Sequence, residues 1–211
     1  MKRALAHIVT ATLLLAGAAA FAGEPVKIAC IGDSITFGYG LQDPGAEAYP
    51  AVLQTLLGDG YEVLNFGFSA RTMSLNGDRP YMKEEMYRQA KDCGADIVTI
   101  MLGTNDTKPW NWNEDDFEQA CSAMLSELKR PASKLYICLP PAVVGEKWGI
   151  NDSTIVHGVI PVLKKLARKN RIRVIDTHKA TSGIPEHFPD SIHPDAEASE
   201  ILAKTIYKAI R

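Results

Sequence analysis

Beyond residue 22 the chain alternates short apolar runs rich in β-branched residues with longer segments of helical periodicity, and few folds tolerate that alternation. Parallel strands buried on both faces read as apolar runs, and each needs a long crossover, usually a helix, to reach its neighbour. The pattern therefore predicts an α/β chain with a parallel sheet covered by helices on both sides. Strands are expected over residues 26–31, 61–66, 96–102, 134–139 and 171–175, and helices over about 49–57, 81–91, 114–129 and 153–169. Pro161 lies inside the last of these and should kink or start it. The C-terminal segment is the clearest helix. Ala198, Ile201, Leu202, Thr205, Ile206, Ala209 and Ile210 recur at helical spacing and form one apolar face that should close the sheet. No internal repeat or linker interrupts the pattern, so one domain is expected over 23–211.

The first 22 residues read as a secretory leader: Lys2 and Arg3, an apolar run over 8–20, then Ala20-Phe21-Ala22 as a small-x-small cleavage site. The run is short for a membrane span, so removal and export to the periplasm or medium are expected. Losing Lys2 and Arg3 leaves 21 basic against 25 acidic residues, a net charge of −4. That balance disfavours nucleic acid as a partner. Of the four cysteines, Cys30 and Cys138 fall in apolar strand-like runs and read as buried small hydrophobes, whereas a Cys93–Cys121 pairing is left open.

Ligands of open α/β sheets bind outside the carboxyl ends of the strands. Three glycine-bearing polar loops emerge there: Gly32-Asp33-Ser34 after the first strand, Gly67 with Ser69 after the second, and Gly103-Thr104-Asn105-Asp106 after the third. Asp190-Ser191-Ile192-His193-Pro194 precedes the last helix. A serine hydroxyl is a weak nucleophile at neutral pH, and it needs an imidazole to take its proton and a carboxylate to hold that imidazole. Asp190 and His193 sit three residues apart, so one turn can fold the carboxylate toward Nδ1 and leave Nε2 for Ser34. Backbone N–H groups of Ser34 and Gly67, with the Asn105 amide, are candidate donors to an oxyanion.

Gly32-Asp33-Ser34-Ile35-Thr36, Asn65-Phe66-Gly67, Gly103-Thr104-Asn105-Asp106 and Asp190-Ser191-Ile192-His193-Pro194 resemble, in order, the four blocks of the SGNH or GDSL hydrolases. The resemblance spans nearly the whole mature chain. It implies Ser34 as nucleophile, His193 as general base and later acid, Asp190 as its orienting carboxylate, and Ser34, Gly67 and Asn105 as the oxyanion hole. It also implies a flavodoxin-like three-layer α/β/α sandwich with a five-stranded parallel sheet. Segments 65–72 and 103–112 are similar to exported bacterial carbohydrate O-acetylesterases, sialate O-acetylesterase-like members included.

Three further residues are assigned to substrate: Trp110 and Trp112 as stacking faces for a sugar, and Arg71 as a bidentate donor to a substrate carboxylate. His187 is the reserve base should His193 fail. The reading is a serine ester hydrolase acting on O-acetyl groups of a carbohydrate, sialic acid or a plant or host glycan. It requires no cofactor and no metal, takes a small-molecule or glycan ester, and leaves oligomeric state open. Its rivals with the same machinery are a lipase-like esterase and a thioesterase. A metal-dependent phosphoesterase using Asp33, Asp106, Asp190 and His193 would leave Ser34 and Gly67 without roles. A non-catalytic glycan-binding protein would not need the full set of reactive residues.

Overall fold

The structure, a computed structural model, describes residues 23–211. The leader expected over 1–22 lies outside them. Five strands form one parallel sheet: β1 (Val26–Gly32), β2 (Tyr61–Gly67), β3 (Ile97–Met101), β4 (Lys134–Cys138) and, beyond a small antiparallel hairpin of β5 (Glu146–Lys147) and β6 (Ile150–Asn151), β7 (Arg173–Ile175). Their order across the sheet is β2-β1-β3-β4-β7. This is the flavodoxin-like order, with its reversal point between β1 and β3.

Side chains alternate across the sheet with the period of two that a strand imposes. Ala29, Ile31, Val98, Ile100, Leu135 and Ile137 pack on one face with Phe117 and Met124 of the Glu114–Leu128 helix and Leu163 and Leu166 of the Ile160–Asn170 helix. Ile28, Cys30, Ile97, Met101, Tyr136 and Cys138 pack on the other with Leu53 of the Tyr49–Leu57 helix and Leu202 and Ile206 of the Ala196–Ile210 helix. These two cores make the three layers. Cys30 and Cys138 are fully buried, and burial pushes the Cys30 thiol up to about 12 despite hydrogen bonds from Thr99 and Tyr49. Cys93 and Cys121 are free thiols.

The departures from expectation have local causes. The helix expected over 81–91 is interrupted where Glu84 takes an extended conformation, leaving a 3₁₀ turn at Tyr81–Lys83 and a helix at Glu85–Asp92. Strand β7 starts two residues late because Arg171, at φ 56°, caps the preceding helix in the left-handed region. Ahead of Pro161 the helical path widens into a π turn at Ile155–Val159, as proline offers no N–H to the previous turn. No helix among the described residues is long and apolar enough to cross a membrane.

Candidate active site

At the carboxyl end of β1 the chain turns sharply into the short Ser34–Phe37 helix. Asp33 caps it, Oδ1 accepting from Ile35 N–H at 3.0 Å. The cap places Ser34 on the first turn, largely buried but open on one side to a cavity of about 270 Å³. From the other end of the chain, Asp190 folds the turn that carries His193. Its Oδ1 accepts from the backbone N–H of Ile192 at 3.0 Å and of His193 at 2.7 Å, while Ser191 between them takes φ 77°.

The result is a continuous hydrogen-bonded row. Asp190 Oδ2 lies 2.6 Å from His193 Nδ1, and His193 Nε2 lies 2.8 Å from Ser34 Oγ. Burial raises the Asp190 pKa, but the bonds from the His193 side chain and from the two backbone N–H groups outweigh that and hold its carboxyl below the ordinary value. It is therefore ionised at neutral pH. An imidazole held this way, with Nδ1 on a carboxylate and Nε2 on a hydroxyl, can accept the hydroxyl proton as the oxygen attacks an acyl carbon.

Asn105 reaches the same cavity from the loop after β3. Its Nδ2 donates to Asp33 Oδ2 at 3.3 Å, and its backbone carbonyl accepts from Asn111 Nδ2 at 3.0 Å. Asp33 is wholly buried, and desolvation pushes its carboxyl up to about 7 against the hydrogen bond from Ile35. The neighbouring Asp106 spends both oxygens on the loop after β2, accepting from Met73 N–H at 2.9 Å and Ser74 N–H at 2.8 Å. A metal-ligand role for Asp33 and Asp106 would compete with these bonds.

Gly67 does not occupy the position expected of it. Its N–H donates to Asn65 Oδ1 at 2.8 Å, and a Cβ there would collide with the backbone of Thr36 and Phe37. The glycine lets β2 press against the Ser34–Phe37 helix. The residues of this loop that line the cavity beside Ser34 and Asn105 are Ser69 and Ala70. Ala70 takes φ 66°, and among the described residues its N–H has no hydrogen-bond partner. A left-handed alanine carries no sequence signature, which is why glycine drew the assignment.

The three substrate residues are also relocated. Arg71 turns from the cavity to pair with Glu84, Nε and Nη2 lying 3.0 and 2.9 Å from Oε1, while Nη1 donates to the Ser69 carbonyl at 2.8 Å. With its guanidinium 3.6 Å from the Phe68 ring centre, it braces the loop that shapes Ala70. Trp112 packs on Phe117, ring centres 5.6 Å apart, and over Gly158. Trp110 is exposed and donates Nε1 to Asp78 Oδ2 at 3.3 Å, one layer behind the cavity wall. His187 pairs with Asp195 at 2.9 Å and does not line the cavity.

The aromatic rings at the cavity are Tyr39 and Trp148. Both flank His193, with ring centres 4.5 and 6.0 Å from the imidazole, and both are about half exposed. Asp78, Arg79, Lys108 and Ile150 complete the wall. Trp148 rides on the β5–β6 hairpin, whose two-residue strands are too short to leave a periodic signal in the sequence.

Residues 30–201 match the GDSL-like lipase/acylhydrolase family. The chain belongs to that family. It is 36% identical over 209 residues to an acetylxylan esterase of Xylanibacter ruminicola, an alignment that covers 89% of this chain and 44% of the relative. The chain thus spans less than half the length of that relative. Among solved structures it resembles a carbohydrate acetylesterase from Sinorhizobium meliloti (TM-score 0.73, 22% identity, 87% of this chain and 97% of the other). It also resembles an aryl esterase of M. smegmatis (TM-score 0.74, 22% identity, 88% and 98%). At these identities the two structures speak for the fold.

Proposed function

We propose that this acylhydrolase removes O-acetyl groups from a carbohydrate through Ser34, His193 and Asp190. The observation that carries the reading is the unbroken row from Asp190 through His193 to Ser34, at 2.6 and 2.8 Å, ending in a cavity rather than in the core. Ser34 Oγ attacks the acetyl carbon while His193 Nε2 takes its proton, and Asp190 stabilises the imidazolium. The oxyanion receives the N–H groups of Ser34 and Ala70 and the Asn105 amide. The tetrahedral adduct expels the sugar oxygen with the proton from His193. Water, deprotonated by the same imidazole, then releases acetate and restores Ser34.

The acetyl and sugar assignments draw on the name of the Xylanibacter relative and on the cavity itself. About 270 Å³ accommodates a short acyl group and part of one sugar, and its wall is polar at Asp78, Arg79 and Lys108. A long-chain lipase would need a longer apolar groove. Export follows from the leader read over residues 1–22.

The test is acetate release from acetylated xylan, acetylated sialic acids and simple aryl acetates, repeated with Ser34→Ala and with EDTA. We expect turnover of at least one sugar ester, no activity in Ser34→Ala, and no loss to the chelator. An active Ser34→Ala protein would sink the reading, and chelator-sensitive phosphatase activity would favour the metal alternative.

A further inference from the structure

Lys108 is a buried cation with an unfinished set of partners. The residue is only 8% exposed and lines the cavity with Ser34 and His193, yet its ammonium makes no hydrogen bond among the described residues. Its ion-pair partner Asp78 stands 3.7 Å away, beyond hydrogen-bond reach. An ammonium carries three donors, and because Lys108 lines the cavity and its nitrogen is not sealed in the core, those donors are open to a bound group. Asp78, by contrast, is firmly placed. Its Oδ1 accepts from Asn111 Nδ2 at 3.0 Å, its N–H donates to Asn111 Oδ1 at 2.9 Å, and Oδ2 accepts from Trp110. Asn111 also holds the Asn105 carbonyl, so this pair is tied to the same loop as the oxyanion amide.

Trp148 adds a second, independent oddity. The turn between β5 and β6 is Trp148-Gly149, with φ 53° and 76°. Two positive φ values are the requirement of the tight hairpin turn that favours Asn-Gly, and a bulky aromatic pays for that conformation. The turn places the indole at the cavity mouth, with Lys147 Nζ 4.5 Å from its ring centre. Such outliers cluster where a side chain is needed in one place.

We propose that Lys108, Asp78 and Trp148 form the subsite for the alcohol half of the ester, and that they select a pyranose with a free hydroxyl next to the acetylated one. That hydroxyl accepts from Lys108 Nζ and donates to Asp78 Oδ2, bridging the gap between them, while the apolar face of the ring lies on Trp148. This rests on the carbohydrate acetylesterase reading.

The experiment compares kcat/KM for a monoacetylated methyl xyloside with that for the same ester lacking the neighbouring hydroxyl, using wild type, Lys108→Met and Asp78→Asn, with 4-nitrophenyl acetate as reference. A site that hydrogen-bonds a hydroxyl rejects the analogue without it, so wild type should prefer the hydroxyl-bearing ester by about tenfold or more. Each variant should shrink that ratio below about threefold, and Trp148→Ala should raise KM for both pyranosides about fivefold. Each protein serves as its own reference, because poor folding lowers both rates and leaves their ratio alone. A wild-type ratio near one, or a ratio unchanged in both variants, overturns the subsite. Turnover of the aryl acetate but of neither pyranoside overturns the carbohydrate reading and the subsite with it.

Discussion

Asn105 Nδ2 donates to Asp33 Oδ2 across 3.3 Å, joining the loops that leave β3 and β1. Through this bond the residue before the proposed nucleophile orients the proposed oxyanion donor, while its other oxygen caps the helix that carries Ser34. Asp33 is a positioning residue for both. Asp33→Ser preserves the cap and removes the link to Asn105, whereas Asp33→Ala removes both. We expect Asp33→Ala to cost about 1 kcal/mol of stability more than Asp33→Ser, and both to lower kcat. Thermal melts with steady-state kinetics separate the two roles; equal Tm for the pair would refute the cap.

Asn105→Ala deletes one of the three proposed donors to the oxyanion. The expected loss is roughly 10²–10³-fold in kcat, with KM for a small acetate ester changing far less. Burst kinetics with an aryl acetate measure acyl-enzyme formation directly. A loss confined to KM would assign Asn105 to ground-state binding instead.

Asp190→Asn keeps the size of the side chain and takes away its charge. The amide favours the wrong imidazole tautomer, so kcat should fall by about 10⁴-fold by analogy with other triads, and His193→Ala by at least about 10³-fold. Stopped assays on an aryl acetate at saturating substrate suffice to read both. A drop of only a few fold in either would move the base elsewhere.

Gly67→Ala tests a packing role against a chemical one. The new methyl meets the backbone of Thr36 and Phe37, so the variant should lose about 1–3 kcal/mol of stability. Ala70→Gly keeps the N–H and relieves a left-handed alanine, and it should remain active. A chemical denaturation series gives the first value; full stability in Gly67→Ala would contradict the packing explanation.

His187 offers a pH test. Its hydrogen bond to Asp195 raises its pKa above the ordinary 6.5 against a desolvation that lowers it. A raised folded value means stability that is fully present below 6.5 and disappears as pH climbs through the folded pKa. His187→Gln should therefore lower Tm at pH 6 and leave it near the wild-type value at pH 9. Activity should persist at both, since the pair stands outside the cavity. Loss of esterase activity in His187→Gln would return it to the role of base.

The layers of the fold were readable because burial on both faces leaves continuous apolar runs, and all five sheet strands lie where those runs predict, within two residues at either end. The segments that bring Ser34, Asn105, Asp190 and His193 together were readable because Ser34 and Asn105 directly follow strand ends, while Asp190 and His193 stand three residues apart just before the last helix. Ala70 was not, since its φ of 66° arises in a loop held by distant partners, Arg71 pairing with Glu84 and the N–H groups of Met73 and Ser74 donating to Asp106. Trp148 was hidden for another reason. Its neighbours have no periodicity, and only the folded hairpin carries it to His193. Trp110 and Trp112 drew attention by lying near Asn105 in sequence, and proximity along a loop says nothing of which way a ring turns.

The β5–β6 hairpin pairs with no strand of the main sheet, yet it bears one wall of the cavity and is bound to the turn at Asn105, Asn151 N–H donating to Thr107 Oγ1 and Asn151 Nδ2 to the Thr107 carbonyl. The proposed chemistry and the proposed alcohol subsite are thus joined through residues 105–108. Exchange of residues 146–151 would therefore reach Asn105 as well as the cavity wall, and would take Ile150 out of the core.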